Sequence, residues 1–105
     1  MNKKLYDLMN WPEIEGIVYS DTKHPKKLLG GHMTSKGFLI QAFRPGAVKA
    51  FVKDTLTGEI HAMDMADEEG YFAVLIKSKT EIFYTLIYEF KDKTREETVD
   101  LYNYP

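Results

Sequence analysis

The chain has 105 residues, 44% of them hydrophobic, with seven Tyr, six Phe and one Trp, enough bulky side chains to build one packed domain without a covalent staple. It contains no cysteine, which excludes disulfides, thiolate metal sites and a cysteine nucleophile and fits a reducing, cytoplasmic compartment. Fourteen basic against sixteen acidic side chains leave a net charge of −2, so no general field draws nucleic acid, and a neutral polar partner fits better.

The opening Met1-Asn2-Lys3-Lys4-Leu5-Tyr6-Asp7 begins like a secretory signal but meets Asp7 and Asn10 before an apolar stretch develops. No window approaches the roughly 18 uninterrupted apolar residues of a membrane-spanning helix, so neither export by that route nor membrane insertion is expected. Leu5, Leu8 and Met9 recur at three- and four-residue spacing and predict one face of a short helix. Trp11-Pro12 ends it, because proline disfavours helical geometry in the residue before it. Pro12 can open a second helix with Glu13 and Glu15 at the positive end of its dipole, Ile14, Ile17 and Val18 as its apolar stripe and Gly16 as its weak point. A loop follows from Asp21 or Thr22 through His24-Pro25, and Lys26 to Leu29 reads as one helical turn terminated by Gly30-Gly31. Residues 1–20 are thus a helical lead and 21–105 the domain proper.

From Gly37 the hydrophobic period becomes two. Phe38, Ile40 and Ala42 point one way and Leu39, Gln41 and Phe43 the other, until Pro45-Gly46 closes the strand. Val48 to Lys53 reads as the return strand of a hairpin across Pro45-Gly46. Asp54 to Gly58 forms a turn into a short strand from Glu59 to Met63, and Asp67-Glu68-Glu69-Gly70 is the next turn. Strands are then predicted over Tyr71 to Ile76, Ile82 to Phe90 and about Glu96 to Tyr102, with turns at Lys77–Glu81 and Lys91–Lys93. Six or seven short strands separated by polar turns are the pattern of an all-β, immunoglobulin-like β-sandwich with a short helical lead.

No catalytic, cofactor-binding or metal-binding residues emerge. His24 and His32 are eight apart across a glycine-bearing loop, His61 stands elsewhere, and no carboxylate has helical spacing to His32. Asp64, Asp67, Glu68 and Glu69 resemble a calcium loop in charge only, lacking its alternating ligands and its twelfth-position glutamate. Neighbouring Glu96 and Glu97 point to opposite faces of a strand and cannot jointly flank a glycosidic bond. Ser20, Ser35 and Ser78 sit in loops without the context of an activated nucleophile. Tyr84, Leu86 and Tyr88 share one face of the long strand, Phe83, Thr85 and Ile87 the other, and a sandwich must bury one of them. Trp11, beside a helix break, either offers a contact surface or seals the lead against the sheets.

One resemblance runs through these pieces. His24-Pro25, Leu28-Leu29-Gly30, His32, Gly37 and then Gln41-Ala42-Phe43-Arg44-Pro45-Gly46-Ala47 resemble, in order and spacing, the amino-terminal domain of bacterial 1,4-α-glucan (glycogen) branching enzyme. Glu69-Gly70-Tyr71-Phe72 is similar to the glycine-aromatic strand of that family, Tyr84-Thr85-Leu86 to its Tyr-x-Leu strand, and Asp100-Leu101-Tyr102-Asn103-Tyr104-Pro105 to its closing segment. The similarity covers residues 21–105. Leu101 stands where the family usually has proline. The Phe-Asn-x-Trp type motif of the family's second, glycan-binding sandwich is absent, which weighs against direct glycan binding by this domain.

The resemblance implies a piece of a longer enzyme of carbohydrate metabolism, and the chain's end at Tyr104-Pro105 reads as the start of an interdomain linker. Such enzymes continue into a second sandwich, a (β/α)8 barrel and a C-terminal β domain. The barrel carries the two carboxylates of a retaining mechanism that cuts an α-1,4 linkage and transfers the glycan to a 6-hydroxyl. This chain would then be a non-catalytic domain without cofactors, docking onto the following domains, positioning α-glucan (glycogen) and influencing the length transferred. The residues leave two alternatives: a free-standing α-glucan-binding module, and an immunoglobulin-like interaction module with no sugar role.

Overall fold

A computed structural model describes residues 3–9, 11–12 and 29–100. The order is α1 (Lys3–Leu8), β1 (Gly30–Thr34), β2 (Gly37–Phe43), β3 (Ala47–Asp54), β4 (Ile60–Ala62), β5 (Asp64–Asp67), β6 (Tyr71–Ile76), β7 (Tyr84–Phe90) and β8 (Arg95–Thr98). The second helix expected beyond Pro12, the loop around His24 and Ser20, the turn expected over 26–28 and the closing segment 101–105 lie outside the described residues.

The strands form two four-stranded antiparallel sheets, ordered β1-β2-β6-β5 and β4-β3-β7-β8. Those orders are the ABED and C′CFG sheets of the immunoglobulin topology, so the expected all-β sandwich is the fold. The described residues hold eight strands, one more than the upper expectation. The chain lays down one hairpin at a time and changes sheet between them: β1-β2 in the first sheet, β3-β4 in the second, β5-β6 back in the first, β7-β8 in the second.

That alternation corrects the hairpin expected across Pro45-Gly46. The strands on either side, β2 and β3, belong to different sheets. The turn itself is real, closed by the Ala47 amide donating to the Arg44 carbonyl at 3.1 Å with Gly46 at φ +90°. Phe38, Ile40 and Ala42 of β2 and Ala47, Ala50 and Val52 of β3 are buried in one core, so the strands meet face to face. Alternation specifies which face a strand buries but not whether its sequence neighbour lies beside it or opposite it. The true hairpin partner of β2 is β1, in the stretch where Gly30-Gly31 reads as a helix terminator. β1 shows no apolar alternation because it is a sheet edge. Asp64 to Asp67, expected to lead into a turn, is likewise an edge strand with a register irregularity between Met65 and Asp67.

Two apolar clusters follow from the burial pattern. Between the sheets lie the inward residues of β2, β3, β6 and β7, among them Phe38, Val52, Phe72, Tyr84, Leu86 and Tyr88. Phe38 meets Tyr84 edge-on at 6.2 Å between ring centroids, and Phe72 meets Tyr88 at 6.5 Å. On the outer side of the first sheet, Leu39, Tyr71 and Ala73 pack with Leu5 and Met9 of the lead. This explains why β2 and β6 read as almost continuous apolar runs: both of their faces are covered. The partner sheet carries Lys49, Lys53, Thr85 and Glu89 at its outward positions, and its outer face meets water.

Candidate functional site

The motif pieces scattered along the chain meet in pairs. Gln41 is buried, and its Oε1 accepts the Tyr71 hydroxyl at 3.1 Å. Burial pushes the Tyr71 phenol well above its ordinary range. Gly70, at φ +111°, lies against Arg44 and Pro45, and its carbonyl accepts the Arg44 amide at 2.8 Å. Tyr84 donates to Asp100 Oδ2 at 2.6 Å in a buried bond.

Arg44 emerges from the sheet-crossing turn and reaches β8 of the opposite sheet. Its Nε and Nη2 donate to the two carboxylate oxygens of Glu96 at 3.2 and 3.0 Å, while the guanidinium carbon stands 5.2 Å from the Phe90 ring centroid. The hydrogen bonds hold the Glu96 carboxyl below, and the Arg44 guanidinium above, their ordinary ranges. Tyr88, beside them, is pushed up chiefly by burial and secondly by the Asp100 carboxylate. Arg44 with Glu96 and Tyr84 with Asp100 are committed to partners on other segments, and the Tyr88 ring packs in the core, so the cluster is a structural seam.

The residues that could imitate chemistry stay apart. His32 lies on β1 of the first sheet with Nε2 3.2 Å from the Leu29 carbonyl, whereas His61 lies on β4 of the second, 4.0 Å from Glu59. Among the described residues no three His, Asp or Glu side chains gather into a metal-holding group. Asp67 uses its carboxylate to accept the Glu69 amide at 2.9 Å within the β5-β6 turn. Glu96 faces Arg44 and Glu97 accepts the Thr85 hydroxyl at 2.9 Å. Ser78 donates to the Thr80 carbonyl at 2.7 Å in the β6-β7 link. Trp11 is half-buried on the second cluster, donating to the Tyr6 carbonyl at 3.1 Å with its ring 4.7 Å from that of Tyr6. It seals the lead.

One end of the sandwich is different. The β3-β4 turn and the β6-β7 link enclose a groove of about 460 Å3 with Leu75, Ile76 and Ile82 among its lining. Glu59, Glu81, Lys77 and Thr57 supply polar groups, and Leu56 and Phe83 line it while 79% and 61% exposed. The first wall is bonded within itself and also to the second. Asp54 Oδ1 accepts the Leu56 and Thr57 amides at 2.9 and 3.2 Å, and the Phe83 carbonyl accepts the Thr55 amide and hydroxyl at 3.0 and 3.1 Å. Sequence reading placed Phe83 on the face opposite Tyr84 but did not bring it to Leu56, since the two residues are joined only through strand pairing. An adjoining groove shares Lys77 and Ser78 and adds Lys36 and Lys79. No described helix is long and apolar enough to cross a membrane.

Comparison with known proteins places these features. The chain has the fold seen in crystal structures of pullulanase from Paenibacillus barengoltzii. A complex with maltohexaose and alpha-cyclodextrin has a TM-score of 0.55, the apo enzyme 0.55, and a point mutant complexed with maltotetraose 0.56, each at 20% identity over 81% of this chain. The chain spans only 15 to 16% of those pullulanase chains. No curated protein matches it significantly. Residues 10–102, the stretch that holds the three motif pairings described above, match the family model of the N-terminal domain of alpha-1,4-glucan branching enzyme GlgB, and the chain belongs to that family.

Proposed function

We propose that this domain is a non-catalytic accessory part of an α-glucan branching enzyme that positions the glucan and influences the length of chain transferred. Family membership over residues 10–102 is the observation that carries the reading. The polar motif residues support it from the other side, since Gln41, Arg44, Tyr84 and Asp100 are engaged in holding strands and sheets together. The chemistry, cutting α-1,4 linkages and forming α-1,6 branches in cytoplasmic glycogen biosynthesis, then belongs to another domain. The outward face of the second sheet, with Phe51 beneath the Arg95 guanidinium at 5.5 Å and half-buried Ile87 beside it, suits docking onto such a neighbour.

Deleting residues 1–105 from an enzyme that carries them tests this. The debranched product should show an altered chain-length distribution while part of the branching activity survives. An unchanged distribution discards the reading.

A further inference from the structure

The groove at the β3-β4 end is not explained by folding. Leu56 is held in the open by its Asp54-stitched turn and Phe83 by the bonds of its carbonyl to Thr55, so their exposure is built into the fold. A lining that sets Leu56, Ile82 and Phe83 among a larger number of polar groups, in a volume within the roughly 300–1,000 Å3 of ligand clefts, suits a polar molecule of modest size that also carries an apolar face. Asp54, Glu59 and Glu81 line the groove with Lys77, and Lys36 and Lys79 stand in the adjoining one, so carboxylates and cations balance and no strong field selects an anion. A neutral polyol fits: its C–H face can lie on the Phe83 ring and its hydroxyls can donate to Glu59 or Glu81.

We propose that this groove is a surface binding site for α-1,4-linked glucan, with Phe83 and Leu56 as its apolar platform. The proposal rests on the accessory-domain reading and adds the place of contact. It uses none of the residues of the Phe-Asn-x-Trp type motif that the chain lacks. Preformed walls limit the ordering cost of binding, as the stitched 54–59 turn and the Ser78–Thr80 bonds do here.

The test is an amide NMR titration of the 105-residue chain with maltoheptaose, with cellohexaose as the β-linked control. Saturable shifts are expected at Leu56, Thr57 and the 77–83 link, with little response to cellohexaose. Phe83→Ala, at an exposed position whose backbone bonds persist, should weaken maltoheptaose binding about tenfold, and Leu56→Ala should weaken it less. Absent shifts, shifts confined to another face, equal binding of cellohexaose, or undiminished binding by a folded Phe83→Ala variant would each overturn the assignment. A branch-length change on domain deletion, together with shifts at another surface, would remove this site and keep the accessory reading. An unchanged branch-length profile would remove that reading whatever the titration shows.

Discussion

Gly70 and Gly46 both adopt positive φ, but they do different things. At Gly70 a Cβ would sit inside van der Waals contact of the Arg44 carbonyl and 3.0 Å from Pro45 Cα, where neither backbone can yield without opening the sheet crossing. At Gly46 a Cβ would meet nothing within 4 Å, so only the left-handed backbone resists it. Gly70→Ala should therefore cost roughly 3 kcal/mol or more, and Gly46→Ala about 1 kcal/mol. Urea midpoints of the two variants check this, and equal losses would refute it. Catalysis in a parent enzyme should survive Gly46→Ala, because the residue serves the turn. The turn was legible in the chain from Pro45-Gly46; the tight contact at Gly70 was not, since it depends on two segments about 25 residues apart in sequence coming together.

At the level of elements, burial explains which expectations held. The stripe of Leu5, Leu8 and Met9 predicted the short helix, and the structure buries Leu5 and Met9 on the first sheet. Leu5→Ala should leave a cavity under that helix and lower stability by about 2–4 kcal/mol, with a red shift of Trp11 emission as the lead loosens. A midpoint equal to that of the unaltered chain would show that the lead adds nothing to the fold. Strands β2, β3, β6 and β7 were readable because each buries at least one whole face. β1 and β5 were not, because edge strands expose much of their surface and their sequences need no alternation. The long strand begins at Tyr84, two residues later than its apolar pattern, because Ile82 packs on the core from the preceding link.

For the molecule as a whole, Arg44 and Glu96 join two sheets whose described strands each pair within their own sheet. Arg44 lowers the folded-state titration of Glu96, so the bridge stabilises the fold above the ordinary carboxylate range and the effect fades as pH falls through and below it. Asp92, lowered by its bonds from Thr94, acts in the same direction. The stability difference between the unaltered chain and Glu96→Gln should be constant above about pH 5 and shrink below about pH 4. Chemical denaturation across that range checks it, and parallel profiles would exclude a role for the bridge. Both partners are about two-fifths exposed, so solvent screening keeps the effect modest. Sequence by itself determined the class of fold, most strands, the two alternating faces of the long strand and, through short motifs, the family, because periodicity and turn chemistry are local. Tertiary structure alone decided that Pro45-Gly46 crosses between sheets, that the motifs close on one another, and that Leu56 and Phe83 line one groove. Those facts depend on which segments become neighbours when both faces of the first sheet, and only one face of the second, are withdrawn from water.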